Sequence, residues 1–243
     1  ALFGNTGAAC SGCTSRGVPY LASQTGATKV AAIGYGASEN SKVCTNSQVA
    51  SYELYADDLG LEVVYSNNNL AFGLPNGIGP EVTAMKDAGV EFVSTCMDLN
   101  GMKTLAAELQ RQGMDDVVLY HPNTYNQSFV AEAGDLFEGD YVVPSFAAFE
   151  YETGLEIQEK FFEYMEKQGS TLSALAMVGW INADLAFIGL LEAGPEFDRQ
   201  KVIDATNQLT AYSAGGLISP VDWTRQHTPP TPGNPSSGYA QEC

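Results

Sequence analysis

From residue 29 onward the chain repeats one pattern: a short β-rich apolar run, a polar segment, then apolar residues at helical spacing, renewed about every 30 residues. The runs at residues 30–35, 61–65, 90–95, 116–120 and 141–143 read as strands. Between the first two, Val49, Tyr52, Ala56 and Leu59 mark a helix, with N-caps at 45–47 and Gly60 as its stop. A second helix, 80–88, opens on Pro80 and ends at Gly89; Met102, Leu105 and Leu109 mark a third, stopped by Gly113; a fourth covers 127–137. Strands joined by single helices run parallel, because antiparallel neighbours need only a tight turn, and such crossovers are right-handed. Residues 29–148 are therefore expected to form an open α/β lobe.

Beyond residue 148 the rhythm changes. Residues 154–168 and 198–209 read as amphipathic helices, and 173–193 as a helix that is apolar nearly all round. These helices need a further surface to cover. The tail, GGLISPVDWTRQHTPPTPGNPSSGYAQEC, is rich in Pro, Gly and Ser and reads as loop with one or two short strands.

Composition narrows the function. With 44% hydrophobic residues the chain can bury a real core, and a formal charge of -18 repels nucleic acid and anionic membranes. Asn182 and Asp184 interrupt the best candidate for a spanning helix, 172–191, so no spanning helix is expected. The sequence opens on Ala1 and not Met, which is expected of a processed chain or a part of a longer one.

In an open parallel sheet, ligands bind beyond the carboxyl ends of the strands. The loops leaving those ends, YGASEN, SNNN, CMDLN and HPNTY, are polar and hold the candidate ligand residues Tyr35, Glu39, Asn40, Asp98, Asn100, Asn123 and Tyr125. Gly34 and Gly36 begin a G-x-G pattern, but Glu39 stands where a dinucleotide loop needs its third glycine, and its carboxylate would repel a pyrophosphate. A phosphate-cradling loop and a nucleophile elbow are both missing from the sequence, and no acid, base and nucleophile cluster. With only His121 and His227 a histidine-rich metal site is ruled out. No enzyme, metal or cofactor is expected.

The five cysteines, 10, 13, 44, 96 and 243, are an odd set that leaves one without a partner. CSGC lacks the strand-then-helix setting of a redox motif, so Cys10 and Cys13 read as structural bridge candidates. Cys44 follows the first strand's loop and Cys96 ends the third strand; such strands can be neighbours, and a Cys44–Cys96 disulfide is expected.

KVAAIGYGASENSK, LGLEVVY, GPEVTAMKDAGVEFV and LAAELQRQGM together resemble the second lobe of a type I periplasmic binding protein, in the leucine and branched-chain amino-acid-binding branch of ABC-transporter substrate-binding proteins. ALAMVGWINADLAFIGLLEAG and YSAGGLISPVDWT resemble that branch's return through the first lobe and its final crossing. The resemblance spans about residues 17–226 and implies a two-lobed fold with open, Rossmann-like parallel sheets, helices on both faces and an incomplete first lobe. It implies residues 1–28 as the end of the first lobe, 29–148 as the second, 149–212 as return helices of the first and 213–243 as the last hinge crossing and tail. Hinge crossings would fall near 26–29, 147–152 and 211–216. Ala22, Ser23 and Thr25, in LASQT, resemble the first-lobe loop that holds a ligand carboxylate. Asn40 and Asp98 stand where the family has aromatics, and Asn123 where it has a carboxylate for an ammonium; an amide cannot neutralise one, so Asp98 or Glu39 would have to. Tyr35 and Tyr125 would supply apolar walls, whereas Trp180 reads as core.

What the resemblance implies for function is an extracytoplasmic solute receptor of an ABC importer, periplasmic, secreted or lipoprotein-anchored. It would close on a small polar or aromatic metabolite and be read by a membrane permease. The further partner implied is another chain or an N-terminal segment completing the first lobe. The alternative is a sensor or assembly protein on the same fold without transport.

Overall fold

A computed structural model describes residues 14–122 and 124–224. They form two compact units. The first unit, residues 14–125 and 129–143, holds a four-stranded parallel sheet in the order β2-β1-β3-β4. In chain order it contains α1 (Gly17–Gln24), β1 (Lys29–Tyr35), α2 (Glu39–Leu54), α3 (Ala56–Leu59), β2 (Glu62–Leu70), α4 (Gly79–Ala88), β3 (Phe92–Cys96), α5 (Leu99–Arg111) and β4 (Val118–Tyr120). α6 (Gln127–Ala133) and a 3-10 turn, Gly134–Phe137, follow.

β1 is central, and its last six residues are buried, as are all five of β3, which is why both strands read as continuous apolar runs and not as an alternation. One face of the sheet, Ala31, Ile33, Tyr35 and Val93, packs against Val82 and Met85 of α4 and Met102, Leu105 and Leu109 of α5. The other face, Val30 and Phe92, packs against Ala22 of α1 and Tyr52 of α2, and the Tyr52 hydroxyl meets Ser94 Oγ at 2.6 Å. Helices thus cover both faces of an α/β unit, the expected class.

Boundaries move at two places. β2 runs on to Leu70, so 66–69 is strand and not the expected loop; two register shifts against β1 let Lys29 face Glu62 while Tyr35 faces Leu70. Residues 141–143 form no ladder: Tyr141 makes only an isolated bridge to Tyr120. α1 packs on the sheet of this unit through Ala22, so residues 14–28 lie in the same unit as that sheet.

The second unit, residues 126–128 and 144–224, contains α7 (Glu156–Lys167), α8 (Ala174–Ala193) and α9 (Arg199–Thr206). Among its described residues there are isolated bridges and no strand ladder. Ser173 caps α8 and Asp198 caps α9 through their side-chain oxygens. α8 buries Met177, Ile181, Leu185 and Gly189, one stripe at i, i+4 spacing, and packs on α9. Phe161 is buried beside Phe149 and the Trp180 ring, which is half-buried between Phe161 and Tyr164. By length and composition α8 is long and apolar enough to cross a membrane, despite Asn182 and Asp184. In the unit, however, the Tyr212 hydroxyl lies 2.9 Å from Ile181 O and 3.1 Å from Asp184 Oδ2, anchoring the helix to the following segment.

Candidate functional site

Tyr35 ends β1 with its ring in the core, 2% exposed, and its hydroxyl donates to Asp98 Oδ1 at 2.6 Å. Asp98 sits just beyond β3 as the N-cap of α5, so the same Oδ1 also accepts from Gly101 N–H at 3.1 Å. Burial pushes the Tyr35 phenol well above its ordinary range, and the hydrogen bond and charge of Asp98 push it the same way. The phenol therefore stays a donor at physiological pH and holds the carboxylate in one orientation.

The Gly101 position makes this contact possible: a Cβ there would lie 2.0 Å from the Tyr35 hydroxyl oxygen. Gly34 and Gly36 serve close approach in the same way. A Cβ on Gly34 would stand 2.2 Å from Thr45 Oγ1, where α2 crosses β1, and one on Gly36 would stand 2.9 Å from Asn69 Cα on β2. The G-x-G pattern is thus explained by packing between elements.

Phe72 completes the edge. It lies in the turn after β2, 64% exposed, with its ring 5.0 Å from that of Tyr35. In that turn Leu74 is buried at φ 49°, a left-handed conformation a leucine adopts only where its surroundings hold it. The edge therefore presents a fixed carboxylate and an exposed aromatic ring, each in contact with Tyr35. Such a pair can accept a hydrogen-bond donor or cation and cover an apolar group.

α2 begins at Glu39 under a Ser38 cap and α5 at Leu99, so Glu39, Asn40 and Asn100 are exposed first-turn residues and not loop residues. Glu39 meets Lys42 at 3.1 Å, and the Asn100 carbonyl takes the Thr104 hydroxyl at 2.8 Å. Tyr125 is half-buried after β4, and Asn123 lies outside the described residues, as do Cys10 and Cys13. Tyr35, Glu39, Asn40, Asp98, Asn100 and Tyr125 thus share the carboxyl end of one sheet, with direct contact between Tyr35 and Asp98.

Ala22, Ser23 and Thr25 are not brought there. They lie at the amino end of β1: Ala22 is fully buried, the Ser23 hydroxyl donates to Tyr20 O at 2.7 Å, and the Thr25 hydroxyl to Ala22 O at 2.8 Å. Helix-capping hydroxyls look the same in sequence as ligand-holding ones. His121 also turns inward, 2% exposed, with Nε2 2.9 Å from Asp140 Oδ2 and Nδ1 3.3 Å from Thr95 Oγ1. Among the described residues no group of three or more metal-ligating side chains forms.

A disulfide links Cys44 on α2 to Cys96 at the end of β3. It stands next to Ser41, whose hydroxyl accepts from Tyr35 N–H at 2.6 Å and donates to Cys96 O. Two side-chain links thus tie the first turns of α2 to the strand end that carries Asp98. Without reduction, both thiols are expected to resist alkylation in unfolded protein, and peptide mapping should recover their two peptides joined. Free, alkylated Cys44 and Cys96 would refute the link.

A family profile described as periplasmic binding protein matches residues 4–233. Among solved structures, a fatty acid ABC transporter substrate-binding protein from Thermomonospora curvata superposes with TM-score 0.71 at 20% identity, covering 89% of this chain and 55% of that one. A leucine-, isoleucine-, valine-, threonine- and alanine-binding protein from Brucella ovis gives TM-score 0.63 at 17% identity, over 80% of this chain and 48% of that one. A solute binding protein of an ABC transporter from Rhodopseudomonas palustris HaA2, in complex with p-hydroxybenzoic acid, gives 0.60 at 15% identity, over 81% and 52%. The chain spans about half the length of these structures. No curated protein matches it.

Proposed function

The chain belongs to the periplasmic binding protein family, and from that premise we propose that it serves an extracytoplasmic solute receptor of an ABC importer, binding a small polar or aromatic metabolite by hinge closure. The observation that carries this reading is the pairing of a Tyr35-oriented Asp98 carboxylate with the exposed Phe72 ring at the carboxyl end of the sheet. A ligand with a hydrogen-bond donor next to a ring or short apolar arm fits both groups at once. In this reading α1 belongs with the second lobe, and hinge crossings fall near 147–152 and 211–216. The ligand binds the closed form better, shifts the population toward it, and a permease reads that form. No bond is made or broken.

The similar structures supply the probes: p-hydroxybenzoic acid, 3,4-dihydroxybenzoic acid, leucine, alanine and a fatty acid. Isothermal titration is expected to give one ligand from the aromatic or amino-acid groups a dissociation constant of about 1–100 μM, roughly 5–8 kcal/mol of binding. A fatty acid as the sole binder would overturn the ligand class. Absence of heat with every probe in the millimolar range, from folded protein, would sink the receptor reading for this chain.

A further inference from the structure

The first turns of α2 lie on the sheet without an apolar anchor. Of the residues α2 buries, Ser41, Thr45 and Ser51 are polar, and the one with an apolar body, Tyr52, comes only in the fourth turn. α4 and α5, by contrast, are held on the opposite face by Val82 and Met85 and by Met102, Leu105 and Leu109. What grips the start of α2 is the Ser41 hydroxyl, between Tyr35 N–H and Cys96 O, and the Cys44–Cys96 bond. A hydroxyl with two backbone partners contributes little net attachment, so the covalent bond carries most of it. The place of this clamp matters. The β1–β3 ladder ends at Gly34 and Cys96, so Tyr35 and Asp98, whose side chains pair at 2.6 Å, both lie beyond its last rung. Ser41 holds the end of β1 there, and Ser41 and Cys44 together hold the end of β3.

We propose that the Cys44–Cys96 bridge is the positioning element of the Tyr35–Asp98 edge: with the bond closed Asp98 is fixed, and with the bond open the first turns of α2 come away locally and Asp98 loosens while the sheet stays folded between its two cores. The step is thiol–disulfide exchange. A dithiol supplies two electrons and two protons, the S–S bond breaks, two thiols form, and the dithiol closes into its own disulfide. Cys44 is half-buried and Cys96 buried, so Cys44 is the more accessible of the two. Thiols are kept reduced in a cytosol and are oxidised outside it. The edge is therefore set by oxidation, and a chain still in a reducing compartment binds solute weakly. This last consequence rests on the receptor reading above; the positioning of Asp98 does not.

The test compares the whole chain in three forms: oxidised, reduced with dithiothreitol, and Cys44→Ser/Cys96→Ser, which leaves Cys10, Cys13 and Cys243 as they are and so isolates this bond. Backbone order parameters are read by NMR, and p-hydroxybenzoic acid and leucine are titrated into the same samples. In both open forms the order parameters of residues 39–45 and 98–101 are expected to fall from about 0.85 to below about 0.6, with Val93 and Leu105 unchanged, and the affinity for whichever probe binds the oxidised chain to fall at least about tenfold. Unchanged order at Ser41, Cys44 and Asp98 would overturn the proposal. So would loss of order throughout, Val93 and Leu105 included, which would make the bond a support of the whole fold, or an unchanged affinity in a form whose residues 98–101 have loosened. Should the double variant fail to fold, the reduced native chain decides. If neither probe binds the oxidised chain, the receptor reading fails, and the order parameters alone decide whether the bridge positions Asp98.

Discussion

Gly34→Ala is expected to lower the stability of the sheet unit by about 2–4 kcal/mol, combining overpacking with loss of a buried hydrogen-bond pair. The added methyl would lie 2.2 Å from Thr45 Oγ1, 2.7 Å from Ser41 Oγ and 3.1 Å from Ser41 O. None of the three can yield cheaply. Ser41 Oγ is held between Tyr35 N–H and Cys96 O, Thr45 Oγ1 donates to Ser41 O at 2.9 Å, and the Cys44–Cys96 disulfide fixes the same turn of α2. A urea titration followed by circular dichroism would show a lower midpoint at unchanged slope. Combining it with Thr45→Ala should recover part of the loss, and a shift under about 0.5 kcal/mol would mean the helix moves off the strand freely, as ordinary surface substitutions allow.

Asp98→Ala is the second large effect and the more informative about the site. It removes the cap of α5, about 0.5–2 kcal/mol, and leaves the buried Tyr35 hydroxyl without its acceptor, about 1–3 kcal/mol. Asp98→Asn keeps an acceptor for both donors and should lose far less stability. If the carboxylate receives the ligand, both variants lose at least about tenfold in affinity, near 1.4 kcal/mol, since an amide oxygen cannot replace the charge. The split between stability and affinity in the asparagine variant is therefore the readout. Unchanged affinity in Asp98→Asn would remove Asp98 from ligand contact and leave it a capping residue.

All four strands were legible in the sequence, and the two that read as continuous apolar runs, β1 and β3, are those buried on both faces, where nothing but apolar residues fits. Where polar groups are buried, reading by apolar spacing fails. The first turns of α2, ENSKVCT, bury Ser41 and Thr45 because backbone partners satisfy their hydroxyls, so the segment looks like a loop, and the expected caps at 45–47 fall seven to nine residues after the actual one, Ser38. Asn67 to Asn69 are strand for a related reason: their ladder lies at the sheet's edge, and side-chain amides find partners such as Asn46, 2.8 Å from Asn68, without needing a buried face. LASQT carries the same residue types as an anion-holding loop, and only its place at the amino end of β1 separates the two. Phe72 went unseen because a single aromatic amid AFGLPNG has no periodicity to mark it. Asp98 was visible as a polar residue after a strand, but its orientation depends on Tyr35, 63 residues away, which no local pattern can report.

The position of β1 in the sheet also sets a hazard that the folded molecule conceals. It is the first of the described strands and yet lies between β2 and β3, so one of its edges has no partner until residue 70 and the other until residue 96 have been made. Its sequence, KVAAIGY, is seven residues with no proline and one charge at the end, the composition that stacks into cross-β aggregates when exposed. A nascent or unfolded chain is thus prone to self-association through a segment that becomes a buried central strand, and anything that delays β3 prolongs that exposure.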